Sequence, residues 1–336
     1  MTAASVQLGD GLSVSPLGFG GMALTPVYGD VDPVEALATL HHAVDAGVSF
    51  IDTADIYGGG SNEELIAKLL KERRGEVQLA SKFGLVGNPA AGYSDIRGDA
   101  AYVREAVDRS LTRLGTDTID LYYMHRRDLR VPIVETVEAM AGLVRAGKVR
   151  HLGLSEVTAE ELREANSVHP IAAVQSEWSI WSRDVERNVV PAAAELGVGF
   201  VPYSPLGRGF LTGTVDVAQL GSNDFRRNIP RFAEDAVDAN QAVVAAVRGV
   251  AAELTEGGQT ATPAQVALAW LLAQGRKLGL PVVPIPGTRR ADRIDENLGA
   301  LSLDFTPAQL ATLHAAADAV VGSRSANPSW VSQGRE

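Results

Sequence analysis

Phe50-Ile51-Asp52-Thr53-Ala54-Asp55-Ile56-Tyr57 reads as a short apolar strand that runs out into a polar turn, with Gly58-Gly59-Gly60 behind it. Val48 to Ile51 can be buried on both faces, and a carboxylate ends the run. A strand-ending Asp commonly caps a turn, so Asp52 and Tyr57 acquire weight only from two further stretches of the same build. Val77-Gln78-Leu79-Ala80-Ser81-Lys82 is an apolar run ending in Lys, and Ile119-Asp120-Leu121-Tyr122-Tyr123-Met124-His125 is one ending in His. Asp, Tyr, Lys and His are therefore expected at the ends of three consecutive strands.

Outward from these runs the pattern alternates. Val6 to Val14, with Gly9-Asp10-Gly11 between, predicts a hairpin that covers one end of the fold. Leu17 to Met22 predicts a first short strand with a glycine exit, and Asp32-Pro33-Val34-Glu35 opens a helix that Gly47 stops. Helices are expected from Asn62 to Lys71, from about Ala100 to Leu114, from Pro132 to Ala146 and from Asp184 to Leu196. Strands are expected around residues 149–154, 172–175, 198–201 and 281–285, with capping boxes at Thr158-Ala-Glu-Glu161 and Thr262-Pro-Ala-Gln265 and a closing helix at 289–300. Eight strand-helix units with strands apolar on both faces predict a closed parallel (β/α)8 barrel, a TIM barrel, in one domain spanning 1–336. No G-x-G-x-x-G follows a strand to open a helix, which removes the usual sign of an open doubly wound sheet. Three additions decorate the barrel: the N-terminal hairpin, a loop of about 35 residues from Tyr203 to Asp238, and an extra helix capped by Thr306-Pro307-Ala308-Gln309. Residues 322–336 read as a tail carrying Trp330.

The chain has 336 residues, 41 of them acidic and 30 Lys or Arg, for a formal charge of −11. That balance argues against a nucleic-acid or anionic-membrane surface. With no Cys, disulfides, thiolate catalysis and Cys-based metal sites are excluded. The opening stretch Met1 to Asp10 lacks a basic and apolar leader, so a cytoplasmic protein is expected. His41, His42, His151, His169 and His314 show no metal-ligand spacing.

Parallel strands bring their C-terminal ends to one face at about 4.8 Å between neighbours. Asp52, Lys82 and His125 should then lie within roughly 10 Å of one another, with Tyr57 folded back over them. A phenol titrates near 10 and is a poor acid at neutral pH, but a neighbouring ammonium lowers it. Asp52 would hold Lys82 charged, His125 would orient the reacting oxygen, and Tyr57 would become a general acid for a carbonyl oxygen. Arg could not replace Lys, because its planar fork is not a compact point charge.

In order, residue type and strand position, Asp52, Tyr57, Lys82 and His125 resemble the catalytic tetrad of the aldo-keto reductase superfamily, and the resemblance covers nearly the whole chain. It implies an NADPH-dependent reduction of an aldehyde or ketone to an alcohol by direct hydride transfer. Ser155 and Gln175 match residues that bind the nicotinamide carboxamide, and Tyr203 matches the aromatic that stacks on the ring. Gly21, Met22 and Asp52 fall on cofactor-contacting positions, and Ser204-Pro205-Leu206-Gly207-Arg208-Gly209 looks like the loop covering the pyrophosphate. Gly287, Thr288, Arg289, Arg293, Glu296 and Asn297 look like the segment that holds the 2′-phosphate and adenine. A glycine-threonine turn at a helix start with Arg289, Arg290 and Arg293 suits a phosphate, so NADPH is expected over NADH, although Asp292 and Asp295 dilute the charge. Many members have Asn where this chain has Glu156, which puts the cofactor site's charge in question.

The family is also similar to potassium-channel β-subunits, so a cofactor-binding regulatory module with little turnover is one rival reading. A Schiff-base lyase using Lys82 as nucleophile is another. Asp55 is assigned to turn chemistry. Trp178, Trp181 and Trp330 read equally as substrate-pocket walls or as rim packing, and Phe225-Arg226-Arg227 with Arg231 as shapers of the long loop or as surface. The substrate is a small carbonyl compound that the sequence does not specify, and the oligomeric state is equally open.

Overall fold

A computed structural model of the chain describes residues 5–88 and 92–336. The first four residues of the stretch read for a leader lie outside these. Seven strands form one parallel sheet: β1 (Gly18–Gly20), β2 (Phe50–Asp52), β3 (Gln78–Phe83), β4 (Ile119–Met124), β5 (Val149–Ser155), β6 (Ile171–Glu177) and β7 (Gly199–Tyr203), each bonded to the next. The predicted eighth strand closes the cylinder. The Pro281 carbonyl accepts from the Phe200 N–H at 2.8 Å, and the Val283 and Ile285 N–H groups donate back to Phe200 and Pro202. On its other edge the Pro284 and Pro286 carbonyls accept from the Gly18 and Gly20 N–H groups. Pro281, Pro284 and Pro286 have no N–H to give, so this segment makes an interrupted seam with a single ladder bridge, Phe200 to Val282.

The two-residue period of the strands sorts their side chains between two cores. Phe50, Ala80, Leu121, Tyr123, Ala173, Val201, Val283 and Ile285 cluster inside the cylinder. The intervening Ile51, Leu79, Phe83, Tyr122, Met124, Val174 and Phe200 face the helices. Inside, Tyr123 has room only because its neighbour is Gly153, where an added Cβ would stand 2.4 Å from the Tyr123 ring. Leu8, Leu12 and Val14 of the hairpin, whose strands pair Val6 with Val14, join the interior cluster and plug the end where the strands begin. Two residues beyond Phe50, Ala80, Ala173 and Val201 stand Asp52, Lys82, Gln175 and Tyr203, so the same alternation aims these polar side chains inward at the opposite end.

The helices are α1 (Pro33–Asp45), α2 (Ser61–Arg73), α3 (Ala100–Leu114), α4 (Ile133–Arg145), α5 (Ala159–Val168), α6 (Val189–Leu196), α7 (Glu234–Glu256), α8 (Pro263–Leu278), α9 (Ala291–Leu298) and α10 (Pro307–Ala317). The capping signals act as read: Asp32 accepts from Val34 and Glu35, and Thr158, Thr262 and Thr306 close capping boxes with Glu161, Gln265 and Gln309. Three expectations change. The helix predicted from Asp184 begins at Val189 after a short turn, because Pro191 cannot donate and is tolerated only in a first turn. An antiparallel pair, Leu85–Asn88 with Gly92–Ile96, follows β3 where no element was expected. The tail packs down, with Arg324, Val331 and Ser332 all buried. Among the described residues no helix is long and apolar enough to cross a membrane.

Candidate active site

The strand ends deliver their polar residues to one place. Lys82, wholly buried at the end of β3, forms an ion pair with Asp52 and donates to the Thr53 carbonyl at 2.8 Å. Its Nζ lies 3.5 Å from the Tyr57 hydroxyl. Gln175 on β6 donates to the second Asp52 oxygen at 2.8 Å, so the carboxylate is held from two sides. Tyr57 reaches back over the barrel because Gly58, Gly59 and Gly60 all take positive φ, a run of left-handed turns that L side chains resist. Its ring meets His125 edge-on, with centroids 5.8 Å apart.

Burial and neighbouring charge tune the group. Burial pushes the Asp52 carboxyl up against the pull of Lys82, and burial pushes the Lys82 ammonium below the usual lysine range against the pull of Asp52. Burial, helped by the Arg126 and Lys82 charges, pushes His125 well below the usual imidazole range, which keeps the ring neutral near pH 7. The arrangement is a neutral imidazole and a cation-flanked phenol at the mouth of one cavity.

That cavity, about 460 Å³, runs from Tyr57, His125, Leu85 and Trp330 across the barrel to α9. Met22, Ser155 and Tyr203 line its middle, and Ser204, Leu206, Arg208 and Gly209 line one side. Gly287, Thr288, Arg289, Arg293, Glu296 and Asn297 form the far end. Lys82 sits behind the wall rather than on it. Gly21, expected at the cofactor, also lies behind the wall: Gly20 lines the cavity, while an added Cβ on Gly21 would meet the Asp52 carbonyl at 2.7 Å. At the far end α9 starts without a side-chain cap from Arg290, whose N–H donates to Thr288 Oγ1 at 3.1 Å while the Arg293 N–H donates to the Arg290 carbonyl at 3.2 Å. Of the three arginines there, Arg290 pairs with Asp292 and Arg293 with Glu296, while Arg289 donates to the Tyr28, Gly29 and Asp30 carbonyls.

The loop after β7 folds over this cavity. Arg208 donates to the Tyr28 hydroxyl at 3.0 Å, Arg226 stacks over the Tyr28 ring at 5.1 Å, and the Phe225 N–H donates to the Val27 carbonyl at 3.1 Å. Phe225 and Arg226 line the cavity, whereas Arg231 is buried and donates to Ser182 and to the Gly322 carbonyl. Trp178 and Trp181 are packing residues: Trp178 meets Phe200 and Trp270, and Trp181 stacks on Phe210 at 4.5 Å. Trp330 does reach the cavity, beside Tyr57 and Leu85.

With this geometry in view, the sequence model of the Aldo/keto reductase family matches residues 16–318. The chain belongs to the aldo/keto reductase family. It is 43% identical over 318 residues to the probable aldo-keto reductase 1 of Glycine max, covering 92% of this chain and 88% of that protein. Among solved structures, the glycerol dehydrogenase of Gluconobacter oxydans superposes with a TM-score of 0.83 at 25% identity, covering 97% of this chain and 99% of its own. An aldo-keto reductase of Bacillus halodurans, solved in holo form, gives a TM-score of 0.74 at 26% identity, over 97% and 100% of the two chains.

Within this family member, sequence reasoning missed two site residues. Arg126, next to His125, lines the cavity, donates to Ser155 Oγ at 3.2 Å and lies 6.0 Å from the Tyr203 ring centroid. Its position directly after the strand-ending His was the available signal. Arg324, in the tail, pairs with Glu156 and carried no local signal at all.

Proposed function

We propose that this family member is an NADPH-dependent oxidoreductase that reduces an aldehyde or ketone to an alcohol, with Asp52, Tyr57, Lys82 and His125 as its catalytic group, in one barrel domain spanning 1–336. The observation that carries the reading is the buried Lys82 ammonium, paired with Asp52 and 3.5 Å from the Tyr57 hydroxyl, at the mouth of a cavity that ends on basic side chains and an uncapped helix. The residues present fit a dinucleotide. Ser155, Gln175 and Tyr203 would hold the nicotinamide end; Met22, Ser204, Leu206, Arg208 and Gly209 the middle; Gly287, Thr288, Arg289, Arg293, Glu296 and Asn297 the phosphate-bearing end. Bound there, the dinucleotide supplies the hydride.

The chain's own residues handle the proton. A carbonyl oxygen placed between the Tyr57 hydroxyl and the neutral His125 ring is oriented by both. Tyr57 gives its proton to that oxygen as negative charge develops on it. Lys82 stabilises the phenolate left behind, and Asp52 keeps the ammonium aimed. Leu85 and Trp330 wall the substrate end with apolar surface. Lys82 is buried behind two acceptors, an arrangement that argues against its use as a Schiff-base nucleophile.

Tyr57→Phe tests the assignment. NADPH consumption against a panel of aldehydes, ketones and pyridoxal, with NADH in parallel, should fall by about 10²- to 10⁴-fold, the usual worth of a general acid. NADPH binding should stay within a few-fold of the unmodified protein. Retention of full rate would remove Tyr57 from the role, and tight NADPH binding without turnover on any carbonyl would favour a regulatory module.

A further inference from the structure

Glu156 follows Ser155 at the end of β5 in a left-handed conformation, φ 54°, that a Glu rarely adopts and that its surroundings must enforce. Its wholly buried carboxylate is saturated. One oxygen accepts from the Tyr203 hydroxyl at 2.7 Å, the Glu177 N–H at 3.1 Å and Arg324 at 2.8 Å; the other accepts from Arg324 at 2.9 Å and the Ser332 N–H at 3.0 Å. Arg324 reaches it from 168 residues further along the chain, and its side chain is equally buried. Asp184 takes the same guanidinium at 2.9 Å, so two carboxylates share one cation, and the other charges near Tyr203 are Arg126 and the Arg208–Glu177 pair. Burial raises the Glu156 carboxyl, but Arg324 more than reverses this and holds it far below the usual carboxylate range, so its charge is permanent at working pH.

We propose that Glu156 and Arg324 are positioning residues that set the charge beneath the nicotinamide platform Tyr203, and so the balance of affinity between the oxidised and the reduced cofactor. The proposal rests on the reading above that Tyr203 faces the nicotinamide. The oxidised ring carries a positive charge and the reduced ring carries none. A carboxylate bonded to the platform's hydroxyl attracts the oxidised form, and the guanidinium cancels that attraction. Buried as Glu156 and Arg324 are, their charges act with little screening. A tail residue thereby governs which form of the cofactor stays bound.

The test is the ratio of dissociation constants for NADP+ and NADPH, measured by fluorescence or calorimetry on the full chain. Arg324→Met should shift the ratio about tenfold toward NADP+, about 1.4 kcal/mol. Glu156→Gln should shift it the opposite way, and Arg324→Lys should restore the original ratio. A merely structural role would weaken both forms together and leave the ratio unmoved. If Arg324→Met does not fold, the isosteric Glu156→Gln still gives the sign. A ratio constant within twofold, or shifts of the same sign in both variants, overturns the proposal. Failure of the unmodified protein to bind either form would instead overturn the cofactor reading itself.

Discussion

At the scale of single residues, the titratable groups around Tyr57 make separate claims. Asp55 was assigned to turn chemistry, and it lies in the turn that the Tyr57 N–H closes on the Ala54 carbonyl at 3.2 Å. Its carboxyl, however, is buried, and one oxygen has no hydrogen-bond partner among the described residues. Burial, then the nearby Glu63 charge, lift it from 3.8 to about 7. A carboxyl raised on folding holds its proton more tightly in the native state, so stability is lost as pH rises from about 4 to about 7 and stays lower above. Asp55→Asn should therefore stabilise the protein near pH 8 by roughly 4 kcal/mol, the rise from 3.8 to about 7 at about 1.4 kcal/mol per pH unit. The gain should nearly vanish near pH 4; equal gains in urea unfolding at both pH values would show that charge is not the cause. His125 gives a second pH test. Because burial and the Arg126 and Lys82 charges push it far down, kcat/KM should show no inflection near 6.5, the ordinary histidine value. An inflection there that His125→Gln removes would contradict the neutral ring.

At the scale of elements, the local signals were the legible ones. Asp32, Thr158, Thr262 and Thr306 each sit within four residues of what they cap, so nothing distant was needed to read them. Thr262→Ala opens the box with Gln265 at the start of α8 and should cost about 1 kcal/mol. That loss would appear as a lower urea midpoint with an unchanged slope; a changed slope would mean that more than the cap had been altered. What stayed hidden depended on distant partners or lacked a period. The pair Leu85–Asn88 with Gly92–Ile96 has no clean alternation, and the start of α6 was set by one proline rather than by its apolar pattern. The tryptophans divide for the same reason: Trp178 and Trp181 meet rings tens of residues away, which no local spacing announces.

At the scale of the whole molecule, the barrel and the meeting of Asp52, Lys82, Tyr57 and His125 followed from counting strands and knowing that parallel strands share an end. The tail did not, because Arg324 meets Glu156 through packing of the entire chain. Removing 322–336 strips the guanidinium from a buried carboxylate and should cost about 3–5 kcal/mol. Thermal unfolding checks this, and a truncated chain as stable as the full one would show that water reaches Glu156 freely. The proline-bearing segment 281–285 carries a different consequence. A cylinder stitched tightly everywhere except along one line has a preferred place to unzip, and here that line runs between β7 and β1. Deuterium should enter the amides of Gly18, Gly20, Val283 and Ile285 well before those joining β4 to β5, so the structure would come apart by uncurling into a sheet before its layers separate.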